Sequence, residues 1–314
     1  MLNKTGQSKT LKITAIAFVG LVVIFLLIFY KQQMLTEIKD EHSPVFSNSE
    51  PYAETVELDY NWELFYSAIE NGEKTYQEKD KKVYGGIIPH HDLVSDYIAE
   101  FFSRLKETEN PKTIIILGPN HIGQGVDDVI SGRVDWRTPF GVVENNYTII
   151  DELVASGLVS YDNENFIPEH SIKNTVAFVS YYFPKADIVP LVILSNKEIS
   201  DMEKLADRLA EYSGNDEVLV IGSFDFSHYL TPDESVDMDK ITWDAIENRA
   251  YSQILMFDNT YIDAPAALIV LLKTMDMLGA SDLNIIRHSN SGKYLQQNIK
   301  NSTSYFTAYF TQGD

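Results

Sequence analysis

Three short apolar runs in this chain each end on a polar turn that carries histidine. Residues 85–88 lead into Pro89-His90-His91, residues 114–117 into Gly118-Pro119-Asn120-His121, and residues 218–221 into Gly222-Ser223-Phe224-Asp225-Phe226-Ser227-His228. Runs rich in Ile and Val and bounded by Gly or Pro read as buried strands of an α/β sheet. Ligands of such sheets collect beyond the carboxyl ends of the strands, where these histidines stand. Of the 7 histidines, His90, His91, His121, His170 and His228 fall in turn or strand-end segments. Neutral imidazole is the commonest side-chain ligand for transition metals, so the pattern points to a metal site.

The elements that must position those side chains alternate along the rest of the chain. Strands are expected at 83–88, 113–117, 188–194 and 217–222, with closing strands at 283–287 and 305–310. Helices are expected at 93–107, 146–155, 170–183, 200–212, 233–257 and 265–278. The alternation predicts one α/β domain over 83–314, of the three-layer type with a central mixed sheet. Residues 31–82 are polar, acidic and without a clear period, and read as a stalk or linker in which 60–69 forms one short helix.

Five motifs together resemble the MEMO-like proteins (in bacteria and archaea, AmmeMemoRadiSam system protein B), relatives of the class III extradiol dioxygenases. They are Pro89-His90-His91-Asp92, Leu117-Gly118-Pro119-Asn120-His121, Trp136-Arg137-Thr138-Pro139-Phe140-Gly141, Glu169-His170-Ser171-Ile172 and Ser223-Phe224-Asp225-Phe226-Ser227-His228. The resemblance implies His90 and His121 as metal ligands. The family's third ligand is a cysteine before a helix near the carboxyl end, and this chain has none; alignment of the following apolar helix puts Asp263 there. Two histidines and one carboxylate form the facial triad of non-haem iron(II) oxygenases. Asp-Ala-Pro-Ala-Ala is equally what a helix N-cap with a first-turn proline looks like. His91 stands where the family has a small residue and reads as a supporting or a surface histidine.

Asp225 and His228 lie three apart after a strand, a spacing that lets the carboxylate orient the imidazole as a general acid/base. His170 is expected to steady an oxygen-derived anion. Catalytic candidates are therefore His228, His170 and Asp225; metal candidates are His90, His121 and Asp263, with Fe(II) the expected cofactor. The resemblance implies dioxygenase-like chemistry on a small molecule or peptide. A metal-assisted hydrolase and a noncatalytic metal-binding, peptide-binding or redox module are the alternatives. Lys173, Asn174 and Thr175 depart from the family after Glu-His-Ser-Ile, so substrate contacts are expected to differ.

Residues 13–30 are uncharged and, as a helix, about 27 Å long, close to the hydrocarbon thickness of a bilayer. Lys4, Lys9 and Lys12 precede them. The reading is an uncleaved single-pass anchor with residues 1–12 cytoplasmic and the globular domain extracytoplasmic. The absence of cysteine suits that compartment and excludes a lipoprotein anchor and Cys-ligated zinc. The net charge is −21, from 46 acidic and 25 basic side chains; such a surface repels phosphate backbones and excludes a nucleic-acid partner.

Overall fold

Alternate residues along the apolar runs face opposite sides of one sheet, and each face is covered by helices. In the computed structural model, the structure describes residues 53–72, 81–123, 128–194, 198–215 and 217–313. The chain enters through β1 (Glu54–Glu57) and α1 (Trp62–Gly72). It then runs through β2 (Val83–Ile88), a 3-10 turn (Asp92–Val94), α2 (Ser95–Thr108), β3 (Thr113–Pro119), β4 (Val129–Ser131), β5 (Val134–Thr138) and β6 (Gly141–Val143). Next come α3 (Tyr147–Ala155), β7 (Ser160–Tyr161), α4 (Asn163–Phe166), α5 (His170–Tyr182), β8 (Asp187–Ile193), α6 (Ile199–Ser213) and β9 (Val218–Ser223). The chain closes with α7 (Pro232–Glu247), α8 (Tyr251–Ile254), α9 (Pro265–Met277), β10 (Asp282–Asn290), α10 (Ser291–Leu295) and β11 (Ser304–Thr311).

The main sheet has 8 strands in the order β10-β11-β2-β9-β3-β8-β4-β7, and a second sheet has the order β1-β5-β6. Strands β2, β9, β3 and β8 are mutually parallel, while β11 and β10 close one side antiparallel. Period-two alternation sends Ile87, Ile115, Leu117, Val189, Leu191 and Val220 to one face, against α3, α6 and α9. It sends Ile88, Ile114, Ile116, Ile188 and Ile221 to the other, against α1, α2 and α5. The result is three layers around a mixed sheet.

The fold class expected from sequence is corrected in one part. It placed a transmembrane helix over 13–30 ahead of the domain, and that run lies outside the described residues. Among the described residues no helix is long and apolar enough to cross a membrane. The most apolar, α9, has 13 residues, about 20 Å of helix against roughly 30 Å of hydrocarbon, and its apolar side chains are spent on the sheet. The supported fold is the α/β mixed-sheet domain, and the single-pass, extracytoplasmic localisation that rested on the helix is corrected with it.

Two other differences are local. The helical stretch expected over 233–257 is broken, because Arg249 takes a left-handed φ of 52° after the C-cap residue Asn248 of α7. Within 31–82, read as a stalk with one short helix over 60–69, that helix is present as α1, and the unexpected element is β1. Strand β1 pairs in parallel with β5, and Phe65 of α1 is fully buried among Phe178 (5.0 Å between ring centroids), Trp62 (5.4 Å), Phe140 (5.6 Å) and Tyr181 (5.8 Å).

Phe65→Ala is expected to destabilise the whole domain by about 3–5 kcal/mol, the usual loss for emptying a buried aromatic site. Urea unfolding followed by far-UV circular dichroism would measure it. An unchanged midpoint would mean that α1 is not part of the cooperative unit.

Candidate metal centre

Strand order, rather than chain order, assembles the site. Because β9 lies between β2 and β3, the turns after β2, β9 and β3 are neighbours at the carboxyl edge of the sheet. These turns deliver His90, Asp225 and His121. The fourth contributor, Asp263, stands just before α9. Its N–H donates to the Asp225 carbonyl (3.1 Å), and its Oδ2 accepts the Asp225 N–H (3.2 Å).

Each imidazole is locked by what it bonds. The His90 ring is buried, and its Nδ1 lies 3.2 Å from the Ser223 carbonyl. A carbonyl only accepts, so Nδ1 carries the proton and the lone pair of the neutral ring sits on Nε2. The His90 backbone is held as well: its N–H donates to Asp225 Oδ1 (3.1 Å), and its carbonyl accepts from Asn174 Nδ2 (2.7 Å). His121 Nδ1–H donates to Glu169 Oε1 (2.8 Å), and His121 N–H donates to Glu169 Oε2 (2.9 Å). The carboxylate thus fixes the tautomer and aims Nε2 inward, the arrangement that metal-bound histidines use.

The N-terminus of α5 makes this possible. Glu169 is the N-cap and accepts the Ser171 N–H (2.9 Å). Ser223 Oγ, at the end of β9, donates to the Ser171 carbonyl (2.7 Å). Gly118 lets the helix come this close, since a Cβ there would stand 2.4 Å from Ser171 Oγ.

The inward nitrogens converge on one oxygen. Asp263 Oδ2 lies 3.3 Å from His90 Nε2 and 3.6 Å from His121 Nε2, and Asp225 Oδ2 lies 3.8 Å from His90 Nε2. His170 joins the group, its ring stacked on His121 at 4.2 Å and set edge-on to His90 at 5.1 Å. Two overlapping sets, His90 with His121 and His170, and His90 with Asp225 and Asp263, have donor atoms within 4.8 Å of one another. This buried His/Asp cluster could hold a metal ion. Asp263 Oδ1 is buried and has no hydrogen-bond partner. Nor does Asp263 cap α9: the N-cap is Ala264, and no side chain makes a cap bond there.

One expectation changes. Asp225 does not orient His228, since its carboxylate holds His90; His228 Nδ1 is buried without a partner. His91 is outside the cluster, with Nδ1 2.5 Å from the buried Tyr305 hydroxyl. His288 is also elsewhere, on Asp239 at 2.7 Å. The sequence showed Glu169 and Asn174 only as neighbours of His170, and their grip on His121 and His90 joins segments distant in the chain.

Charge explains the protonation of the metal-free cluster. Burial disfavours a charged His90, but Asp225 and Asp263 outweigh it and lift the imidazole to about 9. His121 is desolvated too, and its bonds to Asp263 and Glu169 lift it to about 10. Burial opposes ionisation of Glu169, yet His121 draws it down to about 2. Asp263 is lowered in the same way, chiefly by His90 against its own desolvation. His170 goes the other way, to about 4, through burial and the neighbouring His90 and His121.

The chain matches the family described as Memo-like protein over residues 55–309. It is 30% identical over 218 residues to a MEMO1 family protein of Metallosphaera sedula, covering 66% of this chain and 76% of that protein. It is 27% identical over 245 residues to a MEMO1 family protein of Caldivirga maquilingensis, covering 74% of this chain and 84% of the relative. A crystal structure of an uncharacterized protein from Escherichia coli K12 aligns with 73% of this chain and 100% of its own at 12% identity, with a TM-score of 0.47.

Histidine-resolved NMR of the metal-free protein is expected to show His90 and His121 losing protons near 9 and 10, and His170 near 4. The sign for stability follows. Pairs with raised histidine pKa values stabilise the fold fully below about 6.5 and lose that contribution as pH climbs through 9 to 10. Titration of His90 and His121 at an ordinary 6 to 7 would contradict the buried charge pairs.

Proposed function

The chain belongs to the Memo-like protein family, and on that footing we propose that its domain holds one divalent metal, Fe(II) by choice of donors, on His90, His121 and Asp263, and oxidises a small oxygen-bearing ligand with dioxygen. The observation that carries this reading is the convergence of two inward Nε2 atoms on Asp263, whose second oxygen is buried and unpartnered. A buried carboxylate oxygen without a donor is expensive unless a cation completes it. Two imidazoles and one carboxylate suit non-haem iron(II), and such an ion, held by these residues, would supply the means to bind and activate a chelating ligand and dioxygen.

The remaining side chains divide the work of the site. Glu169 keeps the His121 tautomer, and Asp225 and Asn174 hold the His90 backbone in place. His228 lies near Asp263, placed to take or return a proton of the ligand. His170, lowered to about 4 by burial and then by the neighbouring His90 and His121, is a hydrogen-bond donor toward developing negative charge.

Fe(II) binding read anaerobically by calorimetry is expected to be 1:1 in the parent, absent in His90→Ala and His121→Ala, and sharply weakened in Asp263→Asn, which keeps the shape but not the anion. Glu169→Gln should weaken it about 10- to 100-fold. Because His90 and His121 hold protons up to about 9 and 10, a metal must displace them, so affinity should rise as pH increases from 6 to 9. Full iron binding by Asp263→Asn would remove Asp263 from the ligand set.

His228→Ala should keep its iron and lose about 10²- to 10⁴-fold in oxygen consumption with a catechol-like substrate. Loss of iron in that variant would make His228 a ligand. An iron-loaded parent that consumes no oxygen would leave a noncatalytic metal-binding module.

A further inference from the structure

Beside the cluster lies a cavity of about 510 Å³, lined by Tyr60, His91, His170, Lys173 and Asn174 and floored by His90 and Asp225. Its carboxylates are mostly committed. Asp225 Oδ1 accepts the His90 N–H, and Asp92 Oδ1 accepts from Asn174 Nδ2 at 2.9 Å. Asp59, also at the wall, stands exposed to solvent. Lys173 is different. It is half-buried, lies on α5 three residues after His170 and therefore on the same side of the helix, and forms no ion pair among the described residues. In a chain with 46 acidic side chains and 25 basic ones, this ammonium feels Asp92 electrostatically, but no carboxylate among the described residues closes an ion pair on it, so its donors stay open to an anion.

We propose that this cavity takes a small organic acid, with Lys173 binding the carboxylate while the oxygen-bearing far end of the molecule reaches the His90–His121–Asp263 centre. Only the second half of that statement rests on the metal reading. The ammonium is a point charge with three donors on a flexible stem, suited to an anion whose exact approach is set elsewhere. Tyr60 and His91 also line the cavity. The Tyr60 hydroxyl is fixed on Ser95 Oγ at 3.2 Å, and His91 is fixed by Tyr305, so the wall is rigid and the lysine adapts. Lys173 is thus the specificity-determining residue of the cavity, and it acts on the ligand rather than on the centre.

The test uses a matched pair of probes, 3,4-dihydroxybenzoate and catechol, which differ only in the carboxylate. Their affinities would be measured by ligand-observed NMR for the full chain, both zinc-loaded and chelator-treated. The parent is expected to bind the acid about tenfold more tightly than catechol, the usual worth of one charged hydrogen bond. Lys173→Gln should erase that difference while leaving metal stoichiometry and the catechol affinity in place, and Lys173→Arg should retain most of it. Equal affinities in the parent, or a preference that survives Lys173→Gln, would overturn the inference. If the protein retains no metal, the reading of the centre falls, whereas a Lys173-dependent preference in the chelator-treated protein still supports the carboxylate site and its absence still overturns it.

Discussion

Compensation of buried negative charge is the constraint around which this site is organised. Asp225, Asp263 and Glu169 are all buried within reach of two imidazoles, and isolated carboxylates at such a depth would be several kcal/mol too costly to keep ionised. Backbone N–H groups take part of the load: His90 to Asp225, Asp225 to Asp263, and His121 and Ser171 to Glu169. What they leave is met by cationic imidazoles. A cluster that draws protons onto two histidines well above neutrality presents the same field to any other small cation.

That electrostatic demand explains features of the scaffold which packing alone does not. The residue at Gly118 must be small so that the first turn of α5 can place Glu169 beneath His121. The hydroxyls of Ser223 and Thr175 tie that turn to β9 (3.2 Å between them). Asn174 bridges the His90 carbonyl to Asp92. Each bond removes a freedom from a side chain that must point at one place.

The central strands and the histidine turns were legible because short Ile/Val runs cut by Gly or Pro have few other readings. Asp263 was legible as a position, although its role against capping was decided only by the backbone, which makes Ala264 the N-cap. The expected Asp225–His228 pairing failed because sequence spacing does not say which way a strand-end turn throws each side chain. Asp225 turns back toward β2, while His228 N–H goes to the Asn259 carbonyl (2.8 Å). Strands β4 to β6 were too short to show a period. The short helix over 60–69 was legible, but β1 was not, and the aromatic partners of Tyr60, Trp62 and Phe65, namely Phe140 and Phe178, are distant in sequence.

The insertion of β9 between β2 and β3 also dictates the order in which the molecule can be made. The bond from His90 to Asp225 spans 135 residues, and β2 and β3 are joined in the sheet only through β9, the last of the three in chain order. Contacts of such long range close late in folding. A nascent chain that has emerged only through α5 already carries His90, His121 and His170, yet lacks the strand that sets their spacing. The donor set of the candidate centre is therefore complete only once the domain has closed around β9.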